Sequence, residues 1–292
     1  MLSFKRLALE DAPIIRAFFE KYPSKQCDNT VGASLMWRDY FKTSYAIYEN
    51  TIIFKTEYSE NKTAFTVPVG ENREQALEQI QRFCEDNNIP VVFFSVTLED
   101  LEFLKGFFKN CKETLNREWS DYIYNMSDLS TFKGKKFNGQ RNHINKFKSL
   151  HPDYSFVEIT KDNLNDIKEF FKKFTDLREM NGTETEESQK VLEVLDNFEI
   201  YKLTGYALKV GENIVAFSMG EVIGDVLFVH IEKADISYRG AYQMTVKEFA
   251  SRFENMATLI NREDDSGDMG LRTSKLSYQP CEILDKYTVE IL

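Results

Sequence analysis

Residues 205–232 constrain the fold more than any other stretch. Three apolar runs, Gly205–Val210, Ile214–Val222 and Val226–Glu232, are separated only by Gly211-Glu212-Asn213 and Ile223-Gly224-Asp225. Connections this short join antiparallel neighbours, so the segment predicts a three-strand meander. Tyr242, Val246, Phe249, Ala250, Phe253 and Ala257 then recur at helical spacing, predicting a helix over 241–256. A short strand (258–260), a short helix (269–275) and a last strand (283–291) complete the pattern. Strands and helices mixed in this way give an α/β chain of the α+β type.

The rest of the chain repeats the theme. An apolar helix face is carried by Ile14, Ile15, Phe18 and Phe19, and another by Ala76, Leu77, Ile80, Phe83 and Cys84. Strands are predicted at 45–48, 51–55, 63–67, 91–96, 122–125 and 155–159, and helices at 98–108, 163–179 and 186–199. In the helix over 163–179, Leu164, Ile167, Phe170, Phe171, Phe174 and Leu177 form the core face. With 292 residues, 42% of them hydrophobic and 14% aromatic, the chain has material for one large or two medium cores, and a folded rather than disordered chain is expected.

Charge is unevenly distributed. Lys133, Lys135, Lys136, Arg141, Lys146 and Lys148 give residues 133–150 six cations and no acid. Removing that +6 from the chain's net charge of −10 leaves −16 on the remainder. The bulk field therefore repels nucleic acid, and a phosphate-bearing partner has to be gripped locally. As a helix, the segment turns Phe137, Ile144 and Phe147 inward and leaves cations outside, ready for tRNA, coenzyme A or anionic lipid. A solvated linker helix with incidental charge is the competing reading.

Cys27, Cys84, Cys111 and Cys281 are widely spaced, and His143, His151 and His230 form no ligand pattern with them, so no metal is expected. Lys5, Arg6, Glu10, Asp11 and Arg16 interrupt any export signal, and no run reaches membrane-spanning length. A cytoplasmic protein with reduced thiols is expected.

Two further segments could carry chemistry. Residues 261–280 place Glu263, Asp264, Asp265 and Asp268 ahead of Arg272, Lys275 and Tyr278, with Arg262 at the start. A carboxylate there can accept a proton from an attacking amine or hydroxyl, and Arg272 and Lys275, three apart on one helix face, can steady an oxyanion or hold a phosphate. Helix capping and local ion pairing would explain the same residues. At residues 239–241, Arg239-Gly240-Ala241 marks a strand-to-helix turn that could meet a phosphate or be an ordinary tight turn. His230, inside an apolar strand, reads as a satisfied core histidine.

The order helix, helix, meander, helix, strand, helix, strand resembles a GNAT-type acyltransferase domain, and the first half resembles a shortened version of it. The resemblance implies tandem domains: an N-terminal one over 1–130, a basic linking helix over 131–150 and a C-terminal one over 151–292, each with a mixed central sheet. The Gln/Arg-x-x-Gly-x-Gly/Ala pattern by which GNAT enzymes hold coenzyme A is reduced here to Arg239-Gly240-Ala241.

Gly134-Lys135-Lys136, then 141–147, 239–243, 261–265, 270–272 and 275–280, also resemble a bacterial family grouped with the C-terminal catalytic domain of phosphatidylglycerol lysyltransferases and related to the Fem peptidyltransferases. That resemblance implies transfer of an amino acid from aminoacyl-tRNA to an amine or hydroxyl acceptor such as a lipid headgroup or small molecule. It places the active-site loop at Asp265, Arg272 and Lys275, and the donor contacts at Lys133, Lys135, Lys136, Arg141, His143, Lys146, Arg239, Arg262 and Tyr278. The donor is a substrate, so no resident cofactor is implied. An acyl-coenzyme A N-acyltransferase and a non-catalytic nucleotide- or lipid-binding protein of the same fold are the alternatives.

Overall fold

The structure, a computed structural model, describes residues 2–59, 62–176 and 182–292; Leu177, expected on a core helix face, lies outside them. The chain divides into two compact units. One holds residues 1–121, 264–269 and 283–292, the other residues 122–263 and 270–282.

The first unit is built on β1 (Lys5–Arg6), β2 (Ser44–Tyr48), β3 (Thr51–Ser59), β4 (Lys62–Phe65), β5 (Val69–Gly70), β6 (Val92–Val96) and β7 (Cys111–Leu115). Its helices are α1 (Ala12–Lys21), α2 (Val31–Met36), α3 (Arg73–Asn87) and α4 (Leu98–Phe107). The second unit takes β8 (Asp121–Asn125), β9 (Tyr154–Glu158), β10 (Thr204–Val210), β11 (Asn213–Ile223), β12 (Val226–Ala234), β13 (Leu259–Asn261) and β14 (Glu282–Leu284). With them go α5 (Met126–Thr131), α6 (Asn138–Leu150), α7 (Leu164–Asp176), α8 (Gly182–Asp196), α9 (Phe198–Tyr201), α10 (Ala241–Arg252) and α11 (Met269–Ser277). The last strand, β15 (Tyr287–Ile291), returns to the first sheet.

The strand orders are β1-β2-β3-β4-β6-β15-β7, with β5 beside β3, and β14-β8-β13-β12-β11-β10-β9. Both share one plan. An antiparallel meander leads to one parallel pair, β4 with β6 in the first and β12 with β13 in the second. An antiparallel strand from the other half of the sequence follows: β15 pairs with β6, and β8 pairs with β13. These are two tandem GNAT-like domains with mixed sheets. The division is not the sequential one at 131–150. Residues 283–292 join the first unit because Val289 is fully buried in a core with Ile53, Phe65, Leu77, Phe93 and Leu104. The basic helix α6 belongs to the second unit because Phe137, Ile144 and Phe147 are buried there.

The predicted meander forms with its expected connections. The helix expected over 186–199 is split into α8 and α9. The polar strand β7 was not foreseen. Among the described residues no helix is long and apolar enough to cross a membrane.

Candidate functional site

In the second unit β12 and β13 pair only from Val226–Leu259 to Phe228–Asn261, while β12 runs on to Ala234. The strands part at their carboxyl ends, which is where open α/β sheets bind ligands. Four charged residues stand at this opening: His230 and Glu232 on β12, and Arg262 and Glu263 just past β13.

A bulge shapes the opening. Met219 pairs with Ile231 and Gly220 with Val229, so His230 is the extra residue on its strand. Gly220 has no room for a side chain, since a Cβ there would lie 2.1 Å from the Phe228 carbonyl oxygen. Bulges re-aim side chains in this way beside active sites.

Arg262 is the central group. Its Nη2 donates to Glu232 Oε1 at 2.7 Å, and its guanidinium lies 4.5 Å from the Tyr278 ring centre and 5.7 Å from that of Tyr124. Only 10% of its side chain is exposed, and Nη1 is buried with no hydrogen-bond partner among the described residues. Leaving a buried donor of a charged group unpaired costs about 1–3 kcal/mol or more. Burial works against the charge of Arg262, but Glu232 outweighs it and holds the pKa above its ordinary value. Burial raises the Tyr124 and Tyr278 phenols well above their ordinary range, so both stay neutral.

Lys275 supports the arginine. Buried itself, its Nζ donates to the Arg262 carbonyl at 2.6 Å, and its own carbonyl accepts from the Tyr124 hydroxyl at 2.9 Å. A small pocket between the sheet and α10 has Glu232 and Arg262 as its charged lining residues.

Beside this pair, His230 Nδ1 lies 2.7 Å from Glu263 and Nε2 lies 3.0 Å from Glu221. Burial pushes the imidazole pKa down, but the two carboxylates more than reverse this and raise it to about 9. The ring is therefore an imidazolium at neutral pH, satisfied on both nitrogens as a core histidine is, but by charge. Glu263 adopts a left-handed backbone (φ 56°), held by the Asn261 side-chain oxygen, which accepts its N–H at 2.6 Å. Strain of this kind in a non-glycine residue points to a constrained site.

The other sequence-derived residues are spread more widely. Lys133, Lys135, Lys146 and Arg239 are exposed, and His143 is half-buried. Lys136 pairs with Asp128 at 3.0 Å. Arg141 turns back onto the end of α5, donating to the Phe132 and Gly134 carbonyls and to Asn138. The basic helix does meet the 270–282 segment: Gln140 donates to the Ser277 carbonyl at 2.8 Å, and the Phe132 and Tyr278 rings lie 5.9 Å apart. Arg272 is half-buried on α11. Asp265 belongs to the first unit, fully buried, 3.5 Å from Arg117 and accepting the Gly267 N–H at 3.0 Å. Glu221 and Glu232 carry no role in the sequence reading, and Glu263 enters it only as one of the four acids of residues 261–280. The available signal for the first two was a carboxylate within a buried apolar strand run, which needs a partner.

The fold and the parted strand pair define a tandem acyltransferase-fold protein with a charged site in its second unit. Residues 19–290 match the family model for the phosphatidylglycerol lysyltransferase C-terminal domain, and the chain belongs to that family. A conserved protein of unknown function from Bacteroides thetaiotaomicron VPI-5482 is 35% identical over the whole of both chains, with a TM-score of 0.91. Two more distant structures share the fold. L-PGS from Bacillus licheniformis is 16% identical over 95% of this chain and 91% of that one, with a TM-score of 0.66. FemX is 10% identical over 98% and 96%, with a TM-score of 0.57.

Proposed function

We propose that the chain is an aminoacyltransferase that moves an amino acid from aminoacyl-tRNA to an amine or hydroxyl acceptor. Family membership supports an aminoacyl-type transferase, and the buried Nη1 of Arg262, without a partner among the described residues, beside Glu232 carries the reading. A guanidinium with donors to spare next to a carboxylate suits an aminoacyl ester: Nη1 donates to the ester carbonyl oxygen and Glu232 accepts from the α-ammonium.

The acceptor nitrogen or oxygen attacks the carbonyl carbon, and the C–O bond to the tRNA ribose breaks. The acceptor's proton passes to a carboxylate and from it to the departing ribose oxygen, so charge balances. Glu263, partly exposed and held by the His230 imidazolium, is assigned that role. Asp265 is engaged by Arg117 and the Gly267 amide, which leaves it less suited. Lys275 is assigned as a positioning residue for Arg262. Arg272, Lys133, Lys135, Lys146 and Arg239 are assigned to tRNA phosphates, where charge alone is needed.

The acyl-coenzyme A alternative has weaker support. Coenzyme A pyrophosphate would sit at the start of α10. There Gly240 (φ 94°) packs so closely on α6 that a Cβ would lie 2.4 Å from the His143 carbonyl oxygen. The test is transfer of a radiolabelled amino acid from charged tRNA to amine, hydroxyl and lipid acceptors, with acetyl-coenzyme A as the rival donor. Label should move from tRNA, and tRNA binding should weaken as salt rises. Turnover of acetyl-coenzyme A alone would contradict the proposal.

A further inference from the structure

Glu221 lies on β11 opposite Phe228, just past the irregularity at Met219 and Gly220 that makes His230 the extra residue of β12. Its side chain is 5% exposed, and that of His230 is fully buried. A carboxylate sealed inside a sheet is costly unless a cation or several donors meet it. Here the imidazole does so: Nε2 lies 3.0 Å from Glu221 Oε1, and Nδ1 lies 2.7 Å from Glu263 Oε1. Ionised carboxylates only accept, so both contacts are hydrogen bonds only when both ring nitrogens carry protons. A backbone carbonyl in place of Glu221 would satisfy one nitrogen of a neutral ring without burying a charge. The second acid therefore fixes the charge of the ring.

We propose that Glu221 is a positioning residue for Glu263, acting through His230. This rests on the reading that Glu263 takes the acceptor's proton. A hydrogen bond from a charged ring is roughly twice as strong as one from a neutral ring. It commits Glu263 Oε1 and leaves Oε2 for the proton leaving the acceptor. Glu263 is 23% exposed and Glu221 is sealed, so of the two acids Glu263 is the one able to meet a substrate. The ring meets Glu221 from β11 and Glu263 from the segment after β13. Neighbouring charges are engaged elsewhere: Arg262 with Glu232, and Lys275 of α11 with the Arg262 carbonyl. Burial lowers the imidazole pKa, and Glu221 with Glu263 raises it to about 9, so the charge persists at neutral pH.

Glu221→Gln keeps the size of the side chain and removes its charge. Nitrogen NMR of histidine-labelled protein, with His230→Gln to assign the signal, should show the wild-type ring doubly protonated at neutral pH. In Glu221→Gln the ring should titrate at least about one pH unit lower. At about pH 8 kcat for transfer should then fall at least about 10-fold with KM little changed. The deficit should shrink at about pH 6, where the ring regains its proton. Glu221→Asp, which retains a carboxylate, should recover part of both readouts. Wild-type kcat in a variant whose ring titration has moved, or lost kcat with the titration unmoved, would overturn the inference and leave Glu263 as the proton acceptor. Undiminished transfer by Glu263→Gln would remove that reading and the inference with it. If Glu221→Gln does not fold, the wild-type protein still decides: kcat should decline in step with deprotonation of the His230 ring. A ring neutral at about pH 7, or a rate indifferent to its titration, would overturn the inference.

Discussion

Each unit buries a cation close to a strand of its parallel pair, and the two cations are used differently. In the first unit Lys286 precedes β15, which pairs with β6 from Val96. Its Nζ lies 2.6 Å from Asp121, 2.6 Å from Asp28 and 3.3 Å from the Cys27 sulfur. An ammonium has three protons, and three acceptors are present. Burial opposes the charge, yet Asp121 and Asp28 hold the Lys286 pKa well above its ordinary value. In the second unit Arg262 has five donor protons and Nη1 uses neither of its own. A saturated cation holds a fold together. An unsaturated one beside a pocket is poised for a ligand.

The largest effect should come from breaking the saturated site. Lys286→Met leaves Asp121 and Asp28 buried without a cation and should cost about 3–5 kcal/mol in urea unfolding. Transfer per folded molecule should persist. Arg262→Lys is the converse: charge is kept, spare donors are lost, and transfer should fall about 10²- to 10³-fold with a smaller loss of stability.

His230 sharpens the contrast through pH. Its folded pKa of about 9 lies above the unfolded value near 6.5, so its stabilisation is fully present below pH 6.5 and is lost as pH rises through 9. The contribution is on the order of 3 kcal/mol. Wild-type stability should decline across that window, and His230→Gln should flatten the decline. Smallest are the surface cations. Lys135→Ala and Lys146→Ala should each lower the salt slope of tRNA binding by about 0.7–0.9 and weaken affinity only modestly.

Much of the fold was legible because burial leaves a periodic trace. The 205–232 meander and the 241–256 helix emerged from apolar repeats, and Phe137, Ile144 and Phe147 pack inward as their spacing implies. β7 is largely exposed and leaves no such trace. The apolar alternation of residues 287–291 announces a strand but does not encode its partner, so its place beside β6 was not readable. The site was legible only in part. Arg262, Lys275 and Tyr278 converge as a group, whereas Asp265 sits in the other unit. Glu232 and Arg262 are thirty positions apart and meet only because β12 and β13 are parallel neighbours. Arg141 looked like a phosphate ligand by type, yet it closes the end of α5, since a long side chain on a first helical turn can reach the preceding carbonyls.

The most direct test is nitrogen NMR of arginine- and lysine-labelled protein titrated with a non-hydrolysable 3′-aminoacylamino-adenosine. Binding should shift the Arg262 guanidinium resonances and leave the Lys286 ammonium unmoved. A shift at Lys286, or saturable binding without any change at Arg262, would contradict the account.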